Sequence, residues 1–416
     1  MKVFKFGGAS IKNAAGVVNL GEIISNYRPE KMVLVVSAMG KNTNQLERLL
    51  SKFLNNENWL TELEKFRLFH TELCEELFDL EEGVFVEIGR TIDHLSDYLQ
   101  NLSYESEMQL YSEVVSHGEL LSSKIVVEYL NKNLCKATYL DAREVVCTDK
   151  NYTDAHVLWP QTMQSIRKKE EKLQDSLLVT QGFIGSNERN ETTTLGREGS
   201  DFSGAIFAEC LGADTLTVWK DVDGVFNADP KQRSNASVIP VLSYKEAAEM
   251  TFYGAKVIHP KTIRPLAESN IELEVKSFIN PLLTGTRICE LGPSKYPSIY
   301  IRKKAQALIS FKVEDLSFID EQKMSKIFHA LHELNIKVNL MENSAVSFSI
   351  CIDEKFNNVS DLHDALKDSF EIYYNSNLEL FTIKNYDSES LNAIDRTRKI
   401  LLEQKSRSTI HVLYAT

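Results

Sequence analysis

Glycine divides this chain into two parts that must fold differently. All eighteen glycines lie at or before Gly292, and the 124 residues that follow contain none. Ordinary usage of about 7% would put roughly nine there. Glycine collects where backbone turns tightly or approaches a ligand, so the first part reads as the ligand-handling one and the second as a tail of regular strands and helices. Residues 291–297, LGPSKYP, form the natural joint. We therefore expect one domain over 1–290 and another over 298–416.

Within the first part, short apolar runs at 3–6, 32–37, 137–140, 177–180 and 215–219 alternate with helical patterns at 13–27, 112–130 and 202–211. This is the βαβ signature of an α/β fold, a mostly parallel sheet sandwiched by helices. Between them, at about 41–110, a long amphipathic stretch with Leu46, Leu49, Leu50 and Phe53 on one face predicts a helical insertion. The tail predicts strands at 306–313, 337–340 and 345–352 with helices at 321–334 and 360–367. A shorter strand–helix–strand run over 378–384, 388–403 and 408–415 follows. Strands and helices in that order fit small ferredoxin-like modules. His329 and His332 stand three apart on the first tail helix, with no third metal ligand in view.

A net charge of −12 argues against a non-specific nucleic-acid or membrane-surface binder, since neutralising phosphates takes an excess of lysine and arginine. Anionic ligands must then be held by local cations. The start, MKVFKFGG, lacks the apolar run of a signal peptide, and no later stretch approaches a membrane span, so a cytoplasmic protein is expected. Six cysteines are scattered without CxxC spacing, which fits free thiols better than a zinc site or disulfides.

Four clusters carry candidate chemistry. Lys5-Phe6-Gly7-Gly8-Ala9-Ser10 follows the first strand, where glycine amides at the start of a helix and the Lys5 ammonium could meet phosphates. Neither GxxxxGK[ST] nor GxGxxG occurs, which removes P-loop enzymes and typical nicotinamide enzymes. Thr194-Leu195-Gly196-Arg197-Glu198-Gly199-Ser200-Asp201 feeds a helix; capping by Ser200 or Asp201 accounts for that pair but not for Arg197 between two glycines. Residues 219–231, WKDVDGVFNADPK, begin where a strand ends, the place where open α/β sheets take ligands. Residues 253–260, YGAKVIHP, set another lysine beside a glycine.

Together, in order and spacing, these stretches resemble the amino-acid kinase family and, within it, the aspartate kinases: KFGGAS is similar to KFGGTS, TLGREGSD to TLGRGGSD, KDVDGVFNADP to TDVDGVYTTDP, and YGAKVIHP matches as it stands. The tail resembles the family's ACT regulatory modules, the second one shortened. Residue by residue, the resemblance implies ATP contacts from Lys5, Gly7, Gly8, Ser10, Lys220, Asp221, Phe226, Lys231, Lys256 and Val257. It implies aspartate contacts from Thr43, Glu119, Arg197 and Asp201, with Lys5, Asp201 and Lys256 as the catalytic set. It further implies ATP with Mg²⁺, no readable metal ligand beyond Asp201 as a candidate, and a homodimer paired through the ACT modules. An already ionised carboxylate nucleophile needs no general base; it needs positive charge and positioning against a polyphosphate. Two rival readings stay open: a kinase of the same fold using glutamate, N-acetylglutamate or UMP, and a catalytically silent amino-acid sensor.

The chain departs from that pattern at Ala9, Glu198, Lys220, Phe226 and Lys231, and again in the tail. Lysine-inhibited members typically carry a glycine before the first ACT helix, whereas residues 318–324 here read FIDEQKM, and Asn339 and Ala345 stand where an acidic residue is usual. Side chains there obstruct a close backbone approach to an effector. The expectation is that lysine inhibits weakly or not at all. Titrating lysine, threonine and methionine into an activity assay checks this, and strong inhibition by sub-millimolar lysine would contradict it.

Overall fold

The computed structural model describes residues 1–416 except 28–30, 102–103, 171–176, 256–257, 314–317 and 356–357. The chain forms two compact units: Met1–Val225 with Val238–Ala248 and Ile258–Pro293, and Phe226–Ser237 with Glu249–Val257 and Ser294–Thr416.

In the first unit, β1 (Lys2–Phe6), α1 (Ala14–Ser25) and β2 (Met32–Val36) make the opening βαβ turn. Four helices follow, α2 (Asn42–Leu54), α3 (Leu60–Leu77), α4 (Gly83–Gln100) and the long α5 (Glu107–Asn133). The chain then runs through β3 (Ala137–Leu140), α6 (Trp159–Glu170), β4 (Leu177–Gln181), a hairpin of β5 (Ile184–Ser186) and β6 (Thr192–Thr194), α7 (Gly199–Leu211) and β7 (Thr215–Lys220). It continues with β8 (Val241–Ser243), α8 (Tyr244–Phe252), whose residues divide between the two units, α9 (Pro260–Glu268), β9 (Glu272–Ser277) and β10 (Thr286–Cys289). Eight strands form one sheet in the order β3-β4-β2-β1-β7-β9-β10-β8. Every neighbouring pair is parallel except β9 with β10.

The central strands are continuous apolar runs because helices cover both faces: MVLVV of β2 is buried throughout, as is all of β1 beyond Lys2. Phe6 stacks on the fully buried Trp219, ring centroids 6.1 Å apart, which fixes β1 beside β7 near their carboxyl ends. Gly8 is required by the next loop. A Cβ there would come within 2.2 Å of the Ala38 carbonyl oxygen, and the Gly40 N–H donates to the Gly8 carbonyl at 2.9 Å, so the loops after β1 and β2 are pressed together. The glycines do not open α1 as anticipated. Residues 8–12 form turns, and α1 starts only at Ala14, where the Asn13 side chain accepts the Gly16 N–H.

The insertion packs α2, α3 and α4 around α5. Its charged faces are stapled at one buried point, where Glu62 takes Lys52 and Lys65 at 2.9 Å and Gln45 at 2.6 Å. Those partners, the lysines foremost, hold the Glu62 carboxyl down to about 2 against the opposing effect of burial. The insertion thereby sets the start of α2, with Thr43, and the middle of α5, with Glu119.

In the second unit, β11 (Ile299–Lys312), α10 (Glu321–Glu333), β12 (Val338–Asn343), β13 (Ser347–Asp353), α11 (Asn358–Leu366) and β14 (Glu371–Lys384) are followed by a 3₁₀ turn (Ser390–Ala393), β15 (Ile400–Lys405) and β16 (Thr409–Ala415). The antiparallel sheet runs β12-β13-β11-β14-β16-β15. The first four strands with α10 and α11 are a ferredoxin-like βαββαβ module, its core built from Ile309, Phe311, Ile327, Leu331, Ile350 and Leu362. This agrees with the α/β kinase-plus-ACT fold expected.

The helix anticipated at 388–403 is not there. Asp395 Oδ1 takes both the backbone N–H and the hydroxyl of Thr397, a local turn that competes with helix, and residues 400–405 pair with β16 instead. Likewise β11 begins seven residues before the anticipated start, passing through an irregularity at Ala305, whose φ is +52°. Among the described residues no helix is long and apolar enough to cross a membrane.

Candidate active site

A cavity of about 740 Å³ opens in the first unit, at the carboxyl ends of β1 and β7. Ten of the anticipated residues line it: Lys5, Gly7, Gly8, Ser10, Thr43, Glu119, Arg197, Asp201, Lys220 and Asp221. Phe226 and Lys231 fall in the second unit and are not among its lining residues. Lys256 and Val257 lie outside the described residues.

Three charges form its floor. Lys5, near the end of β1, places Nζ 2.6 Å from Asp201 Oδ1, and Lys220, the last residue of β7, places Nζ 3.2 Å from Oδ2. Asp201 sits in the first turn of α7 and is almost wholly buried. Burial alone would push its carboxyl up, but the two ammonium groups outweigh burial and hold it at about 2. The carboxylate is therefore charged at any working pH, and the floor carries one net positive charge. A side chain at Gly7 would place its Cβ 3.6 Å from Lys5 Nζ, so glycine there keeps the ammonium open to the cavity.

Neither Ser200 nor Asp201 caps α7. The cap residue is Glu198, in the left-handed region at φ +54°, and it makes no side-chain capping bond. Glycine adopts that conformation at no steric cost, so the glutamate here is strained. The uncapped start of α7 turns its dipole toward the cavity, as does the start of α2, whose cap residue Lys41 also lacks a side-chain bond. Arg197 is exposed beside it and has no ion-pair or hydrogen-bond partner among the described residues.

Glu119, in the middle of α5, lines the same cavity. Gly118 lets α5 pack close to the end of β2, since a Cβ there would come within 2.9 Å of Ala38 Cβ, and Ser122 Oγ donates to the Ser37 carbonyl at 2.7 Å. The result is a buried carboxyl whose Oε2 has no hydrogen-bond partner. Burial pushes it up to about 8, against the opposing influence of the Ala38 backbone and the Lys5 charge. An orphaned buried oxygen is costly unless a ligand supplies the donor.

Sequence reasoning did not single out Tyr111, Thr153 or Phe183, all of which line the cavity. Phe183 holds φ +73°, a strained backbone for an aromatic residue, and its N–H donates to Ser203 Oγ at 2.8 Å. The flanking Gly182 and Gly185 were the available signal: a Cβ on Gly182 would come within 2.7 Å of Ser200 Cβ. As a whole the cavity suits two anions brought together, with cations and helix ends beneath them and a carboxyl group that awaits a donor.

The amino acid kinase family profile matches residues 1–277. Aspartokinase 3 of Arabidopsis thaliana is 33% identical over 365 residues, 84% of this chain and 64% of that protein. The lysine-sensitive aspartokinase 3 of Escherichia coli K12 is 31% identical over 355 residues, 84% of this chain and 78% of that one. The chain thus spans just under two thirds of the length of the Arabidopsis relative. Among solved structures, E. coli aspartokinase III in complex with aspartate and ADP superposes with a TM-score of 0.86 at 26% identity, covering 100% of this chain and 96% of that one. The chain belongs to the amino acid kinase family, and the relatives it resembles along most of its length are aspartokinases.

Proposed function

We propose that this chain is an aspartate kinase, transferring the γ-phosphoryl group of MgATP to the side-chain carboxylate of L-aspartate to give 4-phospho-L-aspartate, the opening step of lysine, threonine and methionine biosynthesis. The observation that carries this reading is that the Lys5–Asp201–Lys220 cluster and a buried Glu119 carboxyl with one oxygen unpaired line the same cavity. The relative solved with aspartate and ADP supports it.

The side-chain carboxylate of aspartate, with an ordinary pKa near 3.9, attacks the γ-phosphorus as an anion, while the bond to the β–γ bridging oxygen breaks and ADP leaves with the electron pair. Repulsion between the two anions is the main barrier. Lys5 and Lys220, fixed by Asp201, offset it without reorganising. Gly7, Gly8 and Ser10 border the phosphates, and Asp221 lines the same cavity. Arg197 takes the α-carboxylate in its planar fork, Glu119 the α-ammonium, and Thr43 adds a hydroxyl at the start of α2. Both Asp201 oxygens already face lysines, so the magnesium ion that accompanies ATP would be held chiefly by the nucleotide's phosphates. The same proposal has a catalytic region over 1–290, a regulatory region over 298–416, pairing of two copies through the ACT modules and a cytoplasmic setting.

Protein incubated with MgATP and hydroxylamine should yield aspartyl hydroxamate from L-aspartate, and Arg197→Ala should raise the aspartate KM by about 10- to 100-fold, a charge-assisted contact being worth ~1.5–3 kcal/mol. Product from glutamate or N-acetylglutamate but not aspartate would make this a different kinase of the fold. No product from any acceptor would favour a silent sensor.

Glu119 adds a pH signature. Its carboxyl, raised to about 8, is protonated at pH 7 in the free protein and must ionise to pair with an ammonium. Aspartate binding at pH 7 should therefore release about one proton, and the apparent Kd should fall by about tenfold between pH 6 and 7. The raised value also means that the native state keeps a proton the unfolded chain has lost between the ordinary 4.5 and about 8, so this group's contribution to stability declines as pH rises through that window. Calorimetry of aspartate binding in buffers of different ionisation enthalpy measures the release. Buffer-independent heats, or a Glu119→Gln variant with unchanged proton release, would remove Glu119 from the ammonium site.

A further inference from the structure

Where α4 meets α5, His94, Glu113 and His117 bring their ligand atoms within 4.8 Å of one another, and no other group of histidine, cysteine and acidic side chains among the described residues does so. Glu113 and His117 lie one turn apart on α5, and His94 approaches from α4. The pair foreseen on the tail helix, His329 and His332, is exposed and gathers no third ligand among the described residues.

The geometry points to a binding site for a divalent transition-metal ion of the zinc class, held by His94 Nδ1, His117 Nε2 and a Glu113 carboxylate oxygen, with a fourth position open to water. Three observations argue for it. First, His94 Nδ1 and His117 Nε2 are 3.4 Å apart. That is long for a hydrogen bond, whose usual range is about 2.7–3.2 Å, but it is the edge of a tetrahedron with metal–nitrogen bonds of about 2.0–2.1 Å.

Second, His117 Nδ1 lies 2.9 Å from the Glu113 carbonyl oxygen, so that nitrogen carries the proton and donates it to the backbone. The lone pair is left on Nε2, facing His94, in the arrangement by which an outer hydrogen bond orients a ligating imidazole. Third, the site has a buried base and an open mouth, since His117 is 1% exposed whereas His94 is exposed. Arg143 leaves the carboxylate available: it lies 3.9 Å from Glu113 Oε1 but binds Asp141 at 2.8 Å. Bound there, the ion joins α4 of the insertion to α5, two residues before Glu119. The site stands independently of the reaction proposed above.

The test uses the full chain stripped with chelator, titrated with Zn²⁺ by calorimetry and with Co²⁺ by visible absorption. One equivalent should bind, Co²⁺ should show the intense d–d bands of a four- or five-coordinate nitrogen–oxygen site, and Zn²⁺ should raise the unfolding temperature. His94→Ala, at an exposed position that leaves the fold intact, should weaken binding at least ~100-fold and abolish the thermal shift, and Glu113→Gln should weaken it by about tenfold or more. The proposal is overturned by absence of stoichiometric uptake, by uptake indifferent to His94→Ala, or by a thiolate-to-cobalt charge-transfer band assigning the ion to cysteine.

Discussion

A single buried carboxylate organises the first unit. Asp201 holds two ammonium groups that would otherwise repel each other across the end of the sheet, and each arrives on a different strand. For the three to meet, β1 must lie parallel and adjacent to β7, and the first turn of α7 must press onto both. Parallel pairing sets Phe6 opposite Trp219, which puts Lys5 and Lys220 at the same edge. Gly204 supplies the closeness: a Cβ there would come within 2.9 Å of Leu216 Cδ1 and 3.6 Å of Lys5 Cβ, so a larger residue would lift α7 and draw Asp201 away from the lysines. A buried pair of this kind adds little net stability compared with an apolar core, but breaking it from one side costs about 3–5 kcal/mol, because charge is stranded.

This arrangement also explains why the cavity is polarised. Cations and two helix starts in its lining favour anions, while Glu119 lines it at a place where burial keeps the carboxyl protonated until a cation arrives. A ligand carrying both a carboxylate and an ammonium satisfies both at once, and one lacking the ammonium leaves a buried oxygen unpaired. Discrimination of this kind comes from the cost of unmet polar groups more than from the strength of met ones.

Much of this was legible beforehand. Strand-sized apolar runs such as those of β1 and β2 have no other reading in an α/β chain, and glycines beside charged residues mark where backbone makes room for something. What was not legible depended on contacts between segments distant in sequence. Lys220, a departure from the family pattern, gains its place only because β7 lies next to β1, where it becomes the second partner of Asp201. His94 stands 23 residues before His117, and nothing in the sequence brings the two helices together. Ser200 and Asp201 satisfy the local rule for a helix cap, yet the helix starts one residue before Ser200 because the lysines claim the Asp201 carboxylate. Residues 388–403 carry helix-like spacing, and pairing of 400–405 with β16 overrides it.

Asp201 acts through the two lysines, and substitution by its uncharged isostere tests that directly. Asp201→Asn preserves shape while removing the counter-charge, so the ammonium groups should separate and lose the alignment that the proposed phosphoryl transfer requires. Measured on a variant that retains its fold by circular dichroism, kcat should fall at least ~100-fold, the scale of losing oriented transition-state donors, while ADP affinity stays within about threefold or tightens, since phosphates then take over the neutralising role. A variant that turns over within about threefold of the parent, or that loses ADP binding as completely as turnover, would contradict this role for Asp201.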